Sequence, residues 1–599
     1  MARDTYCEFG RFRLYPTERV LECDGIEVPL RGQRLDVLLI LLKCRERKVR
    51  NRELIGAIWP GSKAVDAAGN LHVEIAGLRK ALKKALRGEA QGEDSDDKDS
   101  DDAAGFIKNF RGEGYKFVAD VYEQGARTVV AIQPWTREGS PSKPDAVGQG
   151  MADKVATMLN KHTGIHVMPS VTAIREYNEH PGLKPLAFGH RLGADHVFGG
   201  VIGRGQVKVS HTDVCAGEEV GSTIISSDDP ESFETCLLIL KWIKTELRLA
   251  PTAREEEHST KQYTTNKKAN ALYQKGRIQR FKGTEVSLHR ATNYFKRAVA
   301  EDTRFARAYA NLADTYIFMG AMNLVTPRES YDGSRDAAIA ARDLDPAMAS
   351  AHAAWAFTKF FYERQWEEAR EGFEEAIAIN PNYPTARMGH AHYLISQGSR
   401  IKAQREIDEA MALNPYSFFI SFVRGMVYFL SRKYDESLKR FEWTHELNLR
   451  FNIKSDLSHY GLSLAHEYIA LSCDAPDERE EEFKHADHEA HLAIVASGGH
   501  PLKLLHRAHV NAMWGKMEEA AKLLDRVLRM REKGHYVSPY HMATVYAAVG
   551  EDDQAIDSLK EAEHVRDQYL FLTGVDPRLD SLRPDPRFKE LLSRLRLKV

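Results

Sequence analysis

Cysteine is scarce in this chain. Cys7, Cys23, Cys44, Cys215, Cys236 and Cys473 are the only six in 599 residues, and no pair has CxxC spacing. Neither a disulfide framework nor a zinc site is expected from such a scatter, and a reducing cytoplasm fits it. Long apolar runs are lacking as well. Stretches such as 37–42 and 236–240 are far too short to span a bilayer, and the first residues have no signal-peptide architecture. A soluble, cytoplasmic protein without a membrane partner is expected. Net charge is −2, so the whole chain is no polycation and any nucleic-acid surface has to be local. Walker loops, HExxH and nucleophile elbows are missing, so catalysis is not expected. Gly199, Gly200, Gly203 and Gly205 make no phosphate loop, because they fall in an expected hairpin rather than between a strand and a helix. No cofactor and no metal are indicated. His485, His488 and His491 recur at helical spacing, but in a stretch rich in Glu and Lys they read as solvent-facing.

Positive charge is concentrated at the start. Residues 1–87 hold 18 Lys+Arg against 11 Asp+Glu, a net of +7, which makes this the nucleic-acid end. Within it, Leu71, Ile75, Leu78 and Leu82 recur at helical spacing over 69–84, and the other face carries Arg79, Lys80, Lys83 and Lys84. After an interruption, 106–118 reads as two short strands joined through Arg111-Gly112-Glu113-Gly114, a hairpin with a cation at its tip. A cationic helix beside a cationic hairpin can sit in one groove of a duplex while touching the next.

The preceding residues complete a pattern. Strands are expected over 6–14, 19–23 and 26–30, then a buried helix over 33–43 and a second over 52–58 capped by Asn51. Tyr115, Phe117 and Trp59 read as core. The motifs Gly32-Gln33-Arg34-Leu35-Asp36-Val37-Leu38, Leu54-Ile55-Gly56-Ala57-Ile58-Trp59, Val73 to Leu82 and Arg111 to Phe117 resemble the OmpR/PhoB type of winged-helix effector domain over residues 5–120. That resemblance implies a third helix in the major groove and a wing in the minor groove. It places His72, Glu74, Arg79, Lys80, Lys83, Lys108, Asn109 and Arg111 on DNA. Whether Arg79 reaches DNA or braces the helix stays open. Family members often carry base-reading arginines where Ala76 and Gly77 stand here, so readout would shift to His72, Glu74 and Lys80. The loop 88–105 is lengthened by Glu89, Glu93, Asp94, Asp96, Asp97, Asp99, Asp101 and Asp102. It reads as a solvated loop, with an electrostatic brake on the basic helix as the sharper alternative.

Residues 126–250 alternate strands and helices as a small α/β domain. Val130-Ala131-Ile132-Gln133-Pro134-Trp135 and Leu192 to Gly200 resemble the TolB-N-like or cyclase-associated domain, and a packing and interaction role is favoured over a small-molecule sensor. A polar linker is expected over 251–265. From 266 to 599 an internal period appears: Asp345-Pro346, Asn380-Pro381 and Asn414-Pro415 stand 35 and 34 residues apart, with Ala369, Phe373, Ala376 and then Ala403, Ile407, Ala410 between them. These resemble tetratricopeptide repeats, closed by a polar end cap from Asp576 to Phe588. An insertion is expected after Gly320, and 450–500 is degenerate. The fold class is thus multidomain: a winged helix-turn-helix, a small α/β domain and an all-α solenoid.

The leading expectation is a sequence-specific DNA-binding transcriptional regulator, similar to the HilA kind and without the membrane span of the ToxR/CadC kind. Its partners would be double-stranded DNA and a protein on the repeats, with RNA polymerase and a second copy as candidates. Phosphorelay control is not expected, since nothing precedes the effector domain to accept a phosphoryl group. The rival is a repeat scaffold whose head binds protein.

Overall fold

The computed structural model describes residues 6–597 except 17–18, 24–25, 61–63, 88–105, 111–112, 120, 125–127, 141–143, 163–164, 231, 253–255, 257–260, 283, 451–452 and 454. Arg111 and the acidic loop 88–105 therefore lie outside the described residues. The chain divides into two compact units, Met1–Lys261 and Gln262–Val599.

The first unit opens with strands β1 (Tyr6–Phe9), β2 (Phe12–Tyr15), β3 (Val20–Cys23) and β4 (Ile26–Val28). Then come helix α1 (Gln33–Lys43), strand β5 (Val49–Arg50), and helices α2 (Asn51–Ile58) and α3 (Ala64–Arg87). Strands β6 (Ile107–Phe110), β7 (Gly114–Phe117) and β8 (Tyr122–Gln124) finish this head. The expected single strand over 6–14 is a hairpin, because Gly10 takes φ 55 and turns the chain. One sheet runs β4-β3-β2-β1-β8, and a small second one runs β5-β7-β6. Phe9, Phe12, Phe106 and Phe117 stack edge and face between them. Leu35, Val37, Leu38 and Leu41 of α1 meet Leu71, Ile75, Leu78 and Leu82 of α3 in one buried cluster.

Asn51 does not cap α2. Pairing of β5 with β7 keeps the chain extended through Arg50, which takes the cap position without a side-chain bond. Asn51 is then the first helical residue, and its Oδ1 is buried without a partner. The pairing is tight: at Gly114, φ 155, an added Cβ would lie 2.0 Å from the Val49 carbonyl oxygen.

The α/β part holds β9 (Thr128–Ile132), β10 (Thr136–Arg137), α4 (Ala146–Leu159), β11 (Ile165–Val167), α5 (Ser170–Glu179) and α6 (Pro185–Leu192). It continues with β12 (His196–Gly203), β13 (Gln206–Asp213), β14 (Glu218–Ser226) and α7 (Phe233–Glu246). The sheet order is β11-β9-β12-β13-β14, parallel across β11, β9 and β12 and antiparallel beyond. The strand expected over 128–135 stops at Ile132. Pro134 has no N–H for the ladder, and β10 rejoins β12 at Thr136. Head and α/β part meet where α2 packs on α6. There the Arg191 guanidinium donates to the Ala57 carbonyl at 2.9 Å, and Lys43 pairs with Asp195 at 2.9 Å.

The second unit is an array of antiparallel helix pairs. Lys267–Lys282 pairs with Glu285–Glu301, Ala306–Ala321 with Pro327–Leu344, and Ala349–Thr358 with Trp366–Ile379. Pro384–Ser396 pairs with Arg400–Leu413, Phe418–Leu430 with Tyr434–Arg450, and Leu457–Ser472 with Pro476–Ala496. Pro501–Met513 with Met517–Glu532 and Pro539–Ala548 with Asp552–His564 complete it. The spacing is that of tetratricopeptide hairpins. Small residues let the helices close: a Cβ at Gly389 would lie 2.2 Å from the Phe373 ring, and one at Gly425 would lie 2.3 Å from Phe441. The stretch after Gly320 is no insertion but the second helix of a pair. Among the described residues no helix is long and apolar enough to cross a membrane.

The C-terminal stretch is not a polar end cap. Two 3-10 turns, Gln568–Leu572 and Pro577–Leu582, and the helix Pro586–Leu595 bury Leu570, Phe571, Leu572, Leu579, Leu582, Phe588, Leu591 and Leu592. They lie along one side of the array and touch early and late pairs alike. Tyr569 Oη donates to the Ala321 carbonyl at 2.9 Å, and Trp366 Nε1 to the Leu595 carbonyl at 2.7 Å. Arg432 pairs with Asp580 at 2.6 Å, and Tyr540 Oη donates to Asp576 at 2.7 Å. Of the polar residues that suggested a cap, Asp576 and Arg578 are turned inward as a buried pair, 2.7 Å apart, while Arg587 stays exposed and pairs with Asp585 at 2.7 Å.

Candidate nucleic-acid interface

The apolar stripe of α3 fixes which face is left outside. With Leu71, Ile75, Leu78 and Leu82 buried, His72, Val73, Ala76, Lys80 and Lys84 are exposed, and Glu74, Arg79 and Lys83 are half-buried. Val73 is 61% exposed between two polar residues, an apolar group of the kind that meets a thymine methyl. The β6–β7 hairpin lies along this helix and is fastened to it twice. His72 Nδ1 is 2.7 Å from Tyr115 Oη, and Arg79 Nη2 donates to the Ile107 carbonyl at 2.6 Å. Seven residues separate the two fastenings, about 10 Å of helix.

The eight residues expected on DNA therefore divide. Arg79 is turned inward onto the hairpin strand, with Nε buried and without a partner. His72 is exposed yet engaged with Tyr115. Glu74 pairs with Arg34 at 2.9 Å. Lys80 and Lys83 lie on the outward side of α3, and Lys108 and Asn109 are exposed on β6. Arg111 is outside the described residues.

Sequence reasoning missed Arg34. It belongs to α1, but its guanidinium lies over α3, where a Cβ on Gly77 would stand 2.6 Å from its Nε. Glycine at 77 makes the room and Glu74 orients the group. The Ala76-Gly77 position of α3 thus receives an arginine from a neighbouring helix, nearly half exposed. The visible signal was Glu74 one turn ahead of an unexplained helical glycine.

The hairpin is more basic than its exposed residues suggest. Lys108 and Lys116 are cross-strand partners, a like-charge pairing that costs stability unless an anion lies over it. Lys48 and Lys108 both approach the Phe110 ring, at 5.1 and 5.6 Å. Some of this charge is answered within the head, since Lys48 pairs with Glu113 and Lys116 donates to the Glu46 carbonyl at 3.1 Å.

No family model matches the chain, and no curated protein matches it in sequence. Solved structures resemble it loosely. A human IFIT1 dimer with m7Gppp-AAAA is 14% identical, covers 60% of this chain and 79% of its own, and has a TM-score of 0.36. A tetratricopeptide repeat protein from Parabacteroides merdae is 16% identical over 47% of this chain and 98% of its own, at 0.31. PilF of Pseudomonas aeruginosa is 20% identical over 37% and 93%, at 0.27. Likeness at this level carries no functional argument.

Proposed function

We propose that the chain is a DNA-binding regulator: a winged-helix head reads duplex DNA and the repeat array receives a protein. The observation that carries it is the outward face of α3, where Arg34, Lys80 and Lys83 are joined by Lys108 and Lys116 of the hairpin docked alongside. Base readout falls to His72, Val73 and Asn109, and Glu74 acts by aiming Arg34. Arg79 is a positioning residue that holds the hairpin against the helix. In this reading Arg111 is a minor-groove contact.

The second reading is a scaffold whose head binds an acidic protein surface. It is favoured by the internal pairing of Glu74, Lys48 and Arg79, which leaves less charge for phosphate than the sequence promised. Fluorescence anisotropy of the full chain on a random-sequence duplex, across a salt series, separates the two. Five phosphate contacts would give a slope of log affinity against log salt of about −4 to −5. A slope near zero, or no binding at low salt, refutes the DNA reading and leaves the scaffold.

A further inference from the structure

The seam between the head and the α/β part collects donors from two distant stretches of the sequence. Cys44 follows α1, Glu53 stands in the first turn of α2, and His190 lies on α6. One ligand atom of each lies within 4.8 Å of the others. Cys44 and His190 are buried, and Glu53 is 9% exposed. Cys44 Sγ is 3.6 Å from the Val214 carbonyl oxygen, and the thiol of the next residue, Cys215, meets Cys44 from just outside that three-residue cluster. Cys215 Sγ is 4.0 Å from an Asp195 oxygen.

We propose that Cys44, Glu53 and His190, with Cys215 as fourth donor, form a site for a divalent transition cation of the zinc class. Two thiolates, an imidazole and a carboxylate are a tetrahedral zinc set in kind and number. Charge selects the fourth donor. Arg47 sits in the seam, bonded to Glu53 at 2.6 and 2.9 Å with Nη2 3.8 Å from Cys44 Sγ. Two thiolates and one carboxylate carry three negative charges, which a divalent cation and this guanidinium together neutralise. With Cys44 as the sole thiolate, the site would keep a net positive charge. Arg47 is then an outer-shell donor to a metal-bound sulfur, and Gly217 leaves it room, since a Cβ there would lie 2.5 Å from its Cζ.

His190 carries an unmet need. Its Nε2 faces Glu53 at 2.6 Å, while its Nδ1 is buried without a partner. A cation on either nitrogen gives that imidazole the two-sided ligation that a bonded His in a metal site has. The cation would staple α2 to α6, and so hold the head at a fixed angle on the α/β part.

The test is a cobalt titration of the full reduced, metal-stripped chain at neutral pH. The expected result is one equivalent of cobalt bound, a thiolate-to-cobalt charge-transfer band with tetrahedral ligand-field absorption, and displacement by zinc. Cys215→Ser should halve the charge-transfer intensity, Cys44→Ser and His190→Ala should lose tight binding, and Cys473→Ser should change nothing. The wild-type chain alone decides the matter if a variant misfolds. Absence of the charge-transfer band overturns the proposal, as does a band that keeps its full intensity in Cys44→Ser. It is equally overturned if the seam takes no cobalt and dilute hydroperoxide instead joins Cys44 to Cys215 as a disulfide, the peroxide being reduced to water and alcohol.

Discussion

Replacing Phe571 by alanine tests whether the C-terminal stretch is held by the array or merely follows it. The ring is 6% exposed and sits among Phe360, Phe361 and His392, with centroids 5.1, 5.7 and 5.6 Å away. Truncating a buried phenylalanine costs about 3–5 kcal/mol, and each lost aromatic pair accounts for roughly 0.5–1.5 of that. The cost should fall on a local unit. Residues 568–597 are built from short 3-10 turns and one short helix, whose hydrogen bonds are few and easily opened, whereas the repeats zip neighbour to neighbour. If the segment opens by itself, 3–5 kcal/mol corresponds to about 100- to 3,000-fold faster amide exchange, at 1.4 kcal/mol per tenfold. Hydrogen exchange read by mass spectrometry on the full chain gives the comparison peptide by peptide. Peptides within 568–597 should lose protection by that factor while those of Glu285–Glu301 keep theirs. Unchanged protection of the segment refutes the packing argument. Equal loss across every repeat refutes the idea of a separate unit.

Other predictions concern the head and one buried acid. Gly77→Ala should push the Arg34 guanidinium off α3, reduce the DNA salt slope by about one unit and leave the melting curve nearly unchanged, measured by anisotropy and calorimetry. Arg79→Ala should behave oppositely. It leaves the buried Ile107 carbonyl without its donor, costs about 1–3 kcal/mol of head stability in chemical denaturation, and keeps the salt slope. Burial pushes the Asp314 carboxyl from 3.8 up to about 6, with Arg280 at 4.0 Å only partly offsetting it. Because the folded value lies above the unfolded one, this group's contribution is fully present below about 3.8 and is lost as pH rises through 6. Asp314→Asn should therefore stabilise the array at pH 7 by up to about 3 kcal/mol and make little difference at pH 4, as thermal melts at both values would report.

How far the sequence could be read depended on the range of the interaction. The α3 stripe and the hairpin were legible because Leu71, Ile75, Leu78 and Leu82, or Gly114, act on neighbours within a few positions. The array was legible for the same reason, since each pair repeats a short-range rule. Asn51 misled because a strand pairing with Gly114, sixty-three residues away, decided where its helix could start. Composition misled at the C-terminus, where Asp576 and Arg578 look like solvent-facing charge but neutralise each other inside.

The functional residues follow the same division. Judged by its own sequence, α3 with Ala76-Gly77 looked short of the arginines that the resemblance implies. In the fold, the glycine is the opening through which Arg34 arrives from a helix forty residues earlier, with Glu74 as its anchor. Glu74 as a reader followed from the resemblance, which left open whether Arg79 reaches DNA or braces the helix. Periodicity gives the direction of a Cβ, however, and long side chains end several ångströms away, where another element decides their partner. Cys44, Glu53, His190 and Cys215 carry this to its limit. Cys44 and Glu53 share one short stretch of sequence, but no window joins them to His190 or Cys215, and the seam exists only because α2 and α6 pack together. Any role for that seam, whether as a cation site or as a plain ion-paired joint, is a property of the folded chain that spacing rules for cysteine and histidine could not have reached.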